Sequence, residues 1–209
     1  IQKGTFMAKR FFETFPALIL EDELKDLFEF AEVTALKYNR DRTAIHVYLL
    51  CRRLISKPQI YAVESKIEKQ MFPDGDMKIR IFESFSLSEQ YTPSYLVDVY
   101  KDSLFAEIKR RSDLDYHILM RADWKVADDD SLLLTLEDSL WARNRAGELR
   151  EWIQMVFYDR CAISIPVAVS FKERDTTAIE EEKKRAEAQA IARIMKANSV
   201  ASKEKEDEF

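Results

Sequence analysis

One order of secondary-structure elements is predicted twice in this chain, and it constrains the fold more than any other feature. Residues 9–85 and 94–171 are each predicted to form a helix, two strands, a helix and a strand. Residues 176–197 follow as one long, charged, alanine-rich helix. The pattern predicts an α+β protein with two small open-sheet modules, each in the order α-β-β-α-β, followed by a charged helical linker.

The first module is predicted from its apolar periodicity. Short helices at 11–15 and 22–30 precede two strands at 33–38 and 43–50, which turn residues separate. Ser56 then begins a helix, as an N-cap residue does. The apolar stripe of that helix is Ile60, Val63, Ile67 and Met71, and the alternating residues of the next strand are Met77, Ile79 and Ile81.

The second module is predicted from the same signals. A helix begins at Thr92-Pro93 and ends at Lys109-Arg110-Arg111, where cations complement the helix dipole. A hairpin flanks Asp128-Asp129-Asp130, and Asp138-Ser139 caps the next helix. Alternation predicts a last strand over 163–171, with Pro166 at an edge or a bulge. Asp113 and Asp115 are interpreted as turn formers after the first helix.

The predicted elements divide the chain into four parts. Residues 1–7 are expected to be read-in or disordered, because Met7 is a reasonable true start. The first module occupies residues 8–87 and the second occupies residues 88–172. Residues 173–209 are predicted to be a helical linker with a disordered tail that leads to a missing downstream domain.

Composition narrows the classes of function. The formal net charge of −5 indicates no general attraction to nucleic acid or to anionic membranes. Acidic side chains outnumber basic ones within residues 88–171. Cys51 and Cys161 have neither disulfide-framework nor metal-site spacing, which is typical of the reducing cytoplasm. No apolar run has the length of a membrane helix. A cytoplasmic chain without a membrane partner is expected.

Catalysis is not expected in this segment. With three glycines in the whole sequence, neither a P-loop nor a dinucleotide-binding fingerprint can be assembled. His46 and His117 lack neighbouring ligands for zinc and are interpreted as structural. The Asp128–Asp130 cluster has two interpretations, a cation site or a solvated hairpin turn. The sequence therefore predicts no catalytic residue, no metal ligand, no cofactor and no small-molecule substrate.

Two sets of residues are candidates for macromolecular contacts. Cations that could bind phosphate are Lys109, Arg110, Arg111, Arg121, Lys125, Arg143, Arg145 and Arg150. The alternative is that these cations complement helix dipoles and are otherwise ordinary surface charges. An aromatic edge for a protein partner is formed by Phe11, Phe12 and Phe15. The alternative for these three is core packing.

Several segments together carry a family resemblance. In the first module they are Phe11-Phe12, Glu23-Leu24-Lys25-Asp26, the run 31–37, and Ile60-Tyr61-x-x-Glu64. In the second they are Tyr95-Leu96, the 124–137 hairpin and the helix from Leu140, and the tail adds Glu180-Glu181-Glu182-Lys183-Lys184-Arg185. With this pattern the chain resembles the N-terminal region of the PolC-type alpha subunit of bacterial DNA polymerase III.

The resemblance implies a replication role outside catalysis. It implies that the first module contacts replisome proteins, above all the clamp-loader tau subunit. It implies that the second module is KH-like and touches template DNA, although Arg145-Ala146-Gly147-Glu148 lacks the GxxG of nucleic-acid-clamping KH loops. Polymerase and 3′–5′ exonuclease domains, with their Mg²⁺, lie downstream in that family, and the parent protein is nucleoid-associated.

Three hypotheses for function follow from the sequence. The first is a non-catalytic replisome-interaction region of a replicative DNA polymerase. The second is a free-standing KH-like module that binds single-stranded nucleic acid or acts as an adaptor. The third is a small enzyme that uses the Asp128–Asp130 cluster.

Overall fold

The computed structural model describes residues 8–173, and the mixed α+β class predicted from the sequence is confirmed there. The elements in chain order are β1 (Lys9–Arg10), α1 (Phe11–Thr14), α2 (Asp22–Phe28), β2 (Glu32–Tyr38), β3 (Ala44–Cys51), α3 (Lys57–Met71), β4 (Lys78–Phe85), α4 (Pro93–Arg111), α5 (Asp113–Met120), β5 (Asp123–Val126), β6 (Leu132–Glu137), α6 (Leu140–Cys161) and β7 (Val167–Lys172). The predicted linker helix and residues 1–7 lie outside the described residues. No helix within residues 8–173 is both long and apolar enough to cross a bilayer.

The first sheet has four strands in the order β1-β2-β3-β4. Strand β2 pairs antiparallel with both β1 and β3, whereas β4 pairs parallel with β3. A parallel pair needs a long crossover connection, and α3 provides it. The start of α3 is stabilised because the side chain of Gln59 accepts a hydrogen bond from the Ser56 backbone N–H, at 3.0 Å.

The second sheet repeats this topology with three strands in the order β5-β6-β7. Strands β5 and β6 form the predicted antiparallel hairpin, and β7 returns parallel to β6 through α6. Ser139 caps α6 by accepting a hydrogen bond from the Ala142 N–H at 3.1 Å, as predicted. In the hairpin turn, the Asp129 carboxylate accepts hydrogen bonds from Ser131, and Asp130 has a positive φ of 62°.

Each sheet buries one face beneath helices, which is the alternation predicted from the sequence. Buried strand residues in the first sheet are Val33, Val47, Leu49, Cys51, Ile79, Ile81 and Phe85, and in the second sheet Leu132, Leu134, Leu136 and Val167. The crossover helices contribute Ile60, Val63, Ile67, Leu149, Ile153, Val156 and Phe157. Met71 is the exception to the predicted stripe: it is the last residue of α3 and is 37% exposed.

Four features differ from the prediction. Asp113 and Asp115 do not form a turn but begin helix α5, because Ser112 caps that helix by accepting a hydrogen bond from the Asp115 N–H. The hairpin of the second module therefore follows two helices, α4 and α5, instead of the predicted one, whereas the two short helices before the first hairpin were predicted. The two-residue strand β1 was not predicted, and β4 extends to Phe85.

The last strand is shorter than the predicted 163–171 range. Helix α6 continues to Cys161 and ends at Ala162, whose φ of 54° is left-handed. Residues 163–166 then connect the helix to β7, which begins after Pro166. The described residues through Lys172 form one compact unit, and the domain boundary predicted at 84–90 stays a prediction.

Strand β4 is an edge strand whose outward backbone groups are occupied by side chains from α3. The Glu68 carboxylate accepts a hydrogen bond from the Ile79 N–H at 2.8 Å. The Glu64 carboxylate accepts one from the Ile81 N–H at 2.7 Å. Helix α3 therefore binds this strand through side chains as well as through its apolar stripe.

Candidate functional site

A cleft of about 450 Å³ lies where α3, β4 and α4 meet. Its lining combines one aromatic ring, three guanidinium groups and one carboxylate, from Tyr61, Arg80, Arg110, Arg111 and Glu107. This concentration of cations occurs in a chain with a net charge of −5. The cleft is therefore a candidate site for an anion, because guanidinium groups form charge-assisted hydrogen bonds with phosphate and carboxylate oxygens.

Arg110 and Tyr61 form the centre of the cleft. The Arg110 guanidinium carbon lies 3.4 Å from the centroid of the Tyr61 ring, which is a close cation–π contact. Arg110 Nη1 is also 3.8 Å from the Glu64 carboxylate. The guanidinium group is thus held in place by a ring and a carboxylate, while its side chain remains 56% exposed.

The Tyr61 hydroxyl stays protonated at neutral pH. Burial raises its pKa to about 12, and the nearby Glu107 carboxylate contributes to the increase. A protonated phenol can donate a hydrogen bond to an anion in the cleft. The same burial raises the pKa of Glu64, whose charge is offset in part by the Ile81 N–H and the surrounding cations.

A buried polar network adjoins the cleft and joins helices of both modules. Lys57 Nζ lies 2.7 Å from the Glu83 carboxylate, and the Glu83 side chain is fully buried. The Tyr100 hydroxyl donates to Glu83 at 3.1 Å, and Arg160 donates to Tyr100 at 3.2 Å. Arg160 also pairs with Glu107 at 2.6 Å, so the network ends in the cleft lining. Each buried charge has an opposite charge beside it, as buried ions require.

The structure brings only two of the predicted phosphate-binding cations together in the cleft, Arg110 and Arg111. Most of the others already contact partners within the chain: Lys109 lies over the Tyr116 ring, Arg121 pairs with Glu137, Arg143 with Asp138, Arg145 with Asp115 and Glu148, and Arg150 with Glu151. Lys125 is exposed on β5. The eight candidates therefore do not form one continuous basic surface.

Arg145 is a structural residue rather than a free phosphate ligand. Its guanidinium group makes two hydrogen bonds of 2.8 Å to the carboxylate of Asp115, whose side chain is 1% exposed. These bonds hold the pKa of Asp115 below its usual range, and Ser112 contributes another hydrogen bond to the lowering. Arg145 thus ties α6 to α5, and moving it to a phosphate would leave a buried carboxylate unpaired.

The predicted aromatic edge is mostly core, which corrects part of the partner-binding hypothesis. Phe11 is fully buried and Phe15 is 7% exposed, so neither ring is available to a partner in this fold. Phe11 packs against Phe28 with ring centroids 4.8 Å apart. Phe12 is half-buried and is the one member of the set with an accessible surface. The core-packing alternative holds for the other two.

The remaining chemistry-bearing residues have structural surroundings. Burial raises the pKa of Cys51 and of Cys161 to about 12. His46 packs beside Phe82 and His117 beside Tyr116, as expected for structural histidines. Across residues 8–173, no group of three His, Cys, Asp or Glu side chains is positioned to hold a metal ion.

The comparison with known families gives one decisive match. Residues 10–81 match the model of the family described as DNA polymerase III polC-type N-terminus I. The matched range is similar to that family and covers about a third of the 209-residue chain. The resemblance to the PolC-type alpha subunit, predicted from the sequence, is confirmed over this range. No curated protein sequence matches the chain.

The PolC-type domain contributes one wall of the cleft. Tyr61 and Arg80 lie within the matched range, whereas Arg110 and Arg111 lie on α4, outside it. Sequence analysis missed the two residues in the domain. Tyr61 sits beside the apolar stripe of α3, and Arg80 alternates with the buried Ile79 and Ile81. Both positions were identifiable as solvent-facing, but their meeting with α4 depends on tertiary packing.

Proposed function

We propose that this chain is a non-catalytic docking region of a PolC-type DNA polymerase III alpha subunit, contacting the clamp-loader tau subunit and other replisome proteins. The observation that carries the proposal is the family match of residues 10–81. In the family that the chain resembles, N-terminal domains precede the catalytic ones. A docking role for such a domain leaves DNA synthesis to the rest of the parent protein.

The chemistry of the described residues supports a docking role. Thiols with a pKa of about 12 are protonated at neutral pH, so Cys51 and Cys161 are poor nucleophiles. The buried ions Lys57 and Glu83 neutralise each other within the core. This ion pair explains why both charges are buried, so neither residue needs a catalytic role to account for its position.

The proposal assigns catalysis to other parts of the parent protein. DNA-directed DNA polymerase and 3′–5′ exonuclease activities, with the Mg²⁺ that they use, belong there. The segment itself is proposed to need no cofactor, no small-molecule substrate and no membrane. Its proposed place of action is the cytoplasm, at the nucleoid.

A direct binding measurement tests the docking proposal. Purified tau subunit is titrated into the full 209-residue chain, and binding is followed by isothermal calorimetry. We expect a dissociation constant of about 10 µM or tighter, which corresponds to roughly −7 kcal/mol. Tau without its C-terminal domain is the control and should not bind. Absence of binding to the intact subunit at about 100 µM contradicts the proposal.

A variant pair tests the remaining aromatic candidate. Phe12→Ala removes the half-buried ring of the predicted partner edge, and Phe30→Ala removes a 48% exposed ring elsewhere in the same domain. If Phe12 contacts tau, only its replacement weakens binding, by tenfold or more for about 1.4 kcal/mol of lost contact. Equal affinities for the two variants would exclude Phe12 from the interface.

Contact with template DNA is a second candidate function, and the cleft favours it. Arg110 and Arg111 were predicted as phosphate ligands, and the cleft adds Arg80 and the Tyr61 hydroxyl. The KH-like character of residues 88–172, which the family resemblance implies, belongs to this proposal. Nucleic acid bound here should be released steeply by salt, because phosphate contacts displace counterions.

A charge-reversal comparison tests this second function. Arg110→Glu with Arg111→Glu removes the cations of the cleft, whereas Arg143→Glu with Arg150→Glu reverses two predicted cations on α6. We expect only the first pair to reduce DNA binding and to lower its salt dependence. A larger effect of the α6 pair would indicate that DNA contacts α6 and not the cleft.

A further inference from the structure

The outer face of the first sheet carries an ordered row of side chains across three strands. Tyr48 and Phe82 are partners in the register of β3 and β4, and their rings stack with centroids 5.2 Å apart and planes 19° apart. Lys37 on β2 approaches the Tyr48 ring from the neighbouring strand, with Nζ 4.8 Å from its centroid. The row is therefore a cation, a phenol and a phenyl ring side by side.

This row is open to solvent. Phe82 is 46% exposed although it lies within a strand whose neighbouring residues, Ile81 and Glu83, are buried. His46 contacts the Phe82 ring at 5.1 Å and is the register partner of Arg80, whose side chain is 51% exposed. Aromatic rings exposed on a sheet face do not contribute to the core, but they can stack on the ring of a ligand.

The charges on this face are mainly positive. The outward register positions of β2, β3 and β4 between residues 35 and 84 include Lys37, Lys78 and Arg80 and no carboxylate. Glu68 on α3 lies near two of these cations, 3.5 Å from Lys78 and 3.7 Å from Arg80. At the far end of the face, Arg10 and Glu32 are register partners, so one cation and one carboxylate lie there.

The outer face of the second sheet provides an internal contrast. Its outward positions hold no aromatic residue, and four of them pair with one another: Lys172 with Asp123 at 2.6 Å, and Thr135 with Ser170 at 2.8 Å. Apart from the two-residue β1 of the first sheet, the two sheets have the same topology. An open sheet in this chain therefore does not by itself need stacked aromatic residues and a row of cations on its outer face.

We infer that the outer face of the first sheet binds single-stranded nucleic acid, with Tyr48 and Phe82 stacking on bases and with Lys37 and Arg80 contacting phosphates. Unpaired bases expose the flat surfaces that aromatic side chains stack on, and duplexes keep them covered. The cations match the charge of the backbone. Arg80 also lines the cleft, so a strand on this face can continue toward Arg110 and Arg111.

Binding of a labelled oligonucleotide to the full 209-residue chain tests the inference. Fluorescence anisotropy with a twelve-residue oligothymidylate at low salt should give a dissociation constant between about 1 and 100 µM. The matching duplex should bind at least about tenfold more weakly. Phe82→Leu keeps an apolar side chain but removes the ring, and it should weaken binding at least about fivefold, the lower end for loss of one stacked base. Tyr48→Phe keeps the ring and should bind like the wild type.

A matched pair of charge variants separates this face from the rest of the surface. Lys37→Gln with Lys78→Gln removes two cations of the outer face of the first sheet that do not line the cleft, and leaves both rings in place. Lys125→Gln with Lys172→Gln removes two cations from the outer face of the second sheet. We expect only the first pair to weaken binding and to reduce its salt dependence.

Several outcomes overturn the inference. One is equal affinity of wild type and Phe82→Leu for the oligonucleotide when both are folded by circular dichroism. Another is equal binding of polyglutamate, which indicates an acidic protein partner instead. A third is dimerisation that Phe82→Leu abolishes, which assigns the face to a second copy of the chain. The inference is independent of tau binding, so either proposal can fail without the other.

Discussion

The two sheets of this chain have one topology and two different surfaces. Both contain an antiparallel hairpin and a strand that returns parallel to the second hairpin strand through a crossover helix, and the first sheet adds the two-residue β1. Their inner faces are alike, because each packs aliphatic strand residues against its helix. Their outer faces differ: stacked aromatic residues with cations on the first, and self-paired polar residues on the second. The alternating apolar residues of the inner faces thus determine the shared architecture. The residues at the outward positions can differ without changing it.

The two modules also differ in the pKa of a buried carboxylate on one of their helices. In the second module, Asp115 has a lowered pKa because Arg145 hydrogen-bonds to it. In the first module, Glu64 has a raised pKa because burial outweighs its hydrogen bond from the Ile81 N–H. The first group stabilises the fold when ionised, whereas ionising the second as the pH rises costs stability.

The largest expected effect tests whether the two sheets are separable. Glu83→Gln removes a fully buried charge that balances Lys57 and Arg160, and it should reduce the free energy of unfolding by about 3–5 kcal/mol. All three tryptophans, Trp124, Trp141 and Trp152, lie in the second module. Their fluorescence in urea should therefore report whether the loss of a charge on β4, which contacts Tyr100 and Arg160, also destabilises the second sheet.

The matched control for that experiment is Glu151→Gln, because the Glu151 side chain is 73% exposed. Its effect should stay within about 0.5 kcal/mol. A comparison of tryptophan fluorescence with far-ultraviolet circular dichroism adds the decisive detail. Two separate transitions in the Glu83 variant, with the fluorescence transition unchanged, would show that the sheets unfold independently.

A smaller effect is expected within the second module. Asp115→Asn removes the charge-assisted hydrogen bonds to Arg145 and should cost about 1.5–3 kcal/mol at neutral pH. The pKa of Asp115 is lowered in the folded state, so its stabilisation is complete above the ordinary Asp pKa of about 3.9. It is lost as the pH falls through the lowered value. The difference between wild type and variant should therefore shrink below about pH 4.

Thermal unfolding at a series of pH values measures that difference, with Asp113→Asn as the control. Asp113 is exposed in the first turn of the same helix, so its replacement should cost less than the replacement of Asp115. A stability difference for Asp115→Asn that does not depend on pH would mean that packing, and not the ion pair, accounts for the loss.

The smallest effects concern the backbone and have opposite signs. Gly75 has a φ of +73°, and Gly147 lies within helix α6; an added Cβ meets open space at both positions. Gly75→Ala should destabilise the fold by about 1 kcal/mol, because the left-handed region is unfavourable for alanine. Gly147→Ala should stabilise it by about 0.5–1 kcal/mol. Chemical denaturation resolves the two signs, and equal signs would contradict the backbone explanation.

The sequence predicted the architecture well where periodicity is strong. Leu132, Leu134 and Leu136 alternate without interruption, and the hairpin was predicted within one residue of its observed bounds. The sequence-based prediction missed helix α5, because Asp113 and Asp115 are residues typical of turns. The helical signal was Ser112 three residues before Asp115, which is the spacing of a helix cap.

The candidate site was less predictable than the fold. Arg110 and Arg111 were identified from their charge, but Tyr61 is far from them in sequence and meets them only when α3 packs against α4. Arg145 was predicted as a phosphate ligand from its charge alone. Only the tertiary structure shows that it forms an ion pair with Asp115. Stacking of Tyr48 and Phe82 depends on strand register, which single-sequence periodicity does not give.

The two glutamates that bind the backbone of β4 have a consequence for association. An exposed edge strand invites another chain to extend the sheet by backbone hydrogen bonding. Here Glu64 and Glu68 occupy the N–H groups of Ile81 and Ile79, so these two groups are not available to an added strand. Sheet extension at this part of β4 would first have to displace both carboxylates from the backbone.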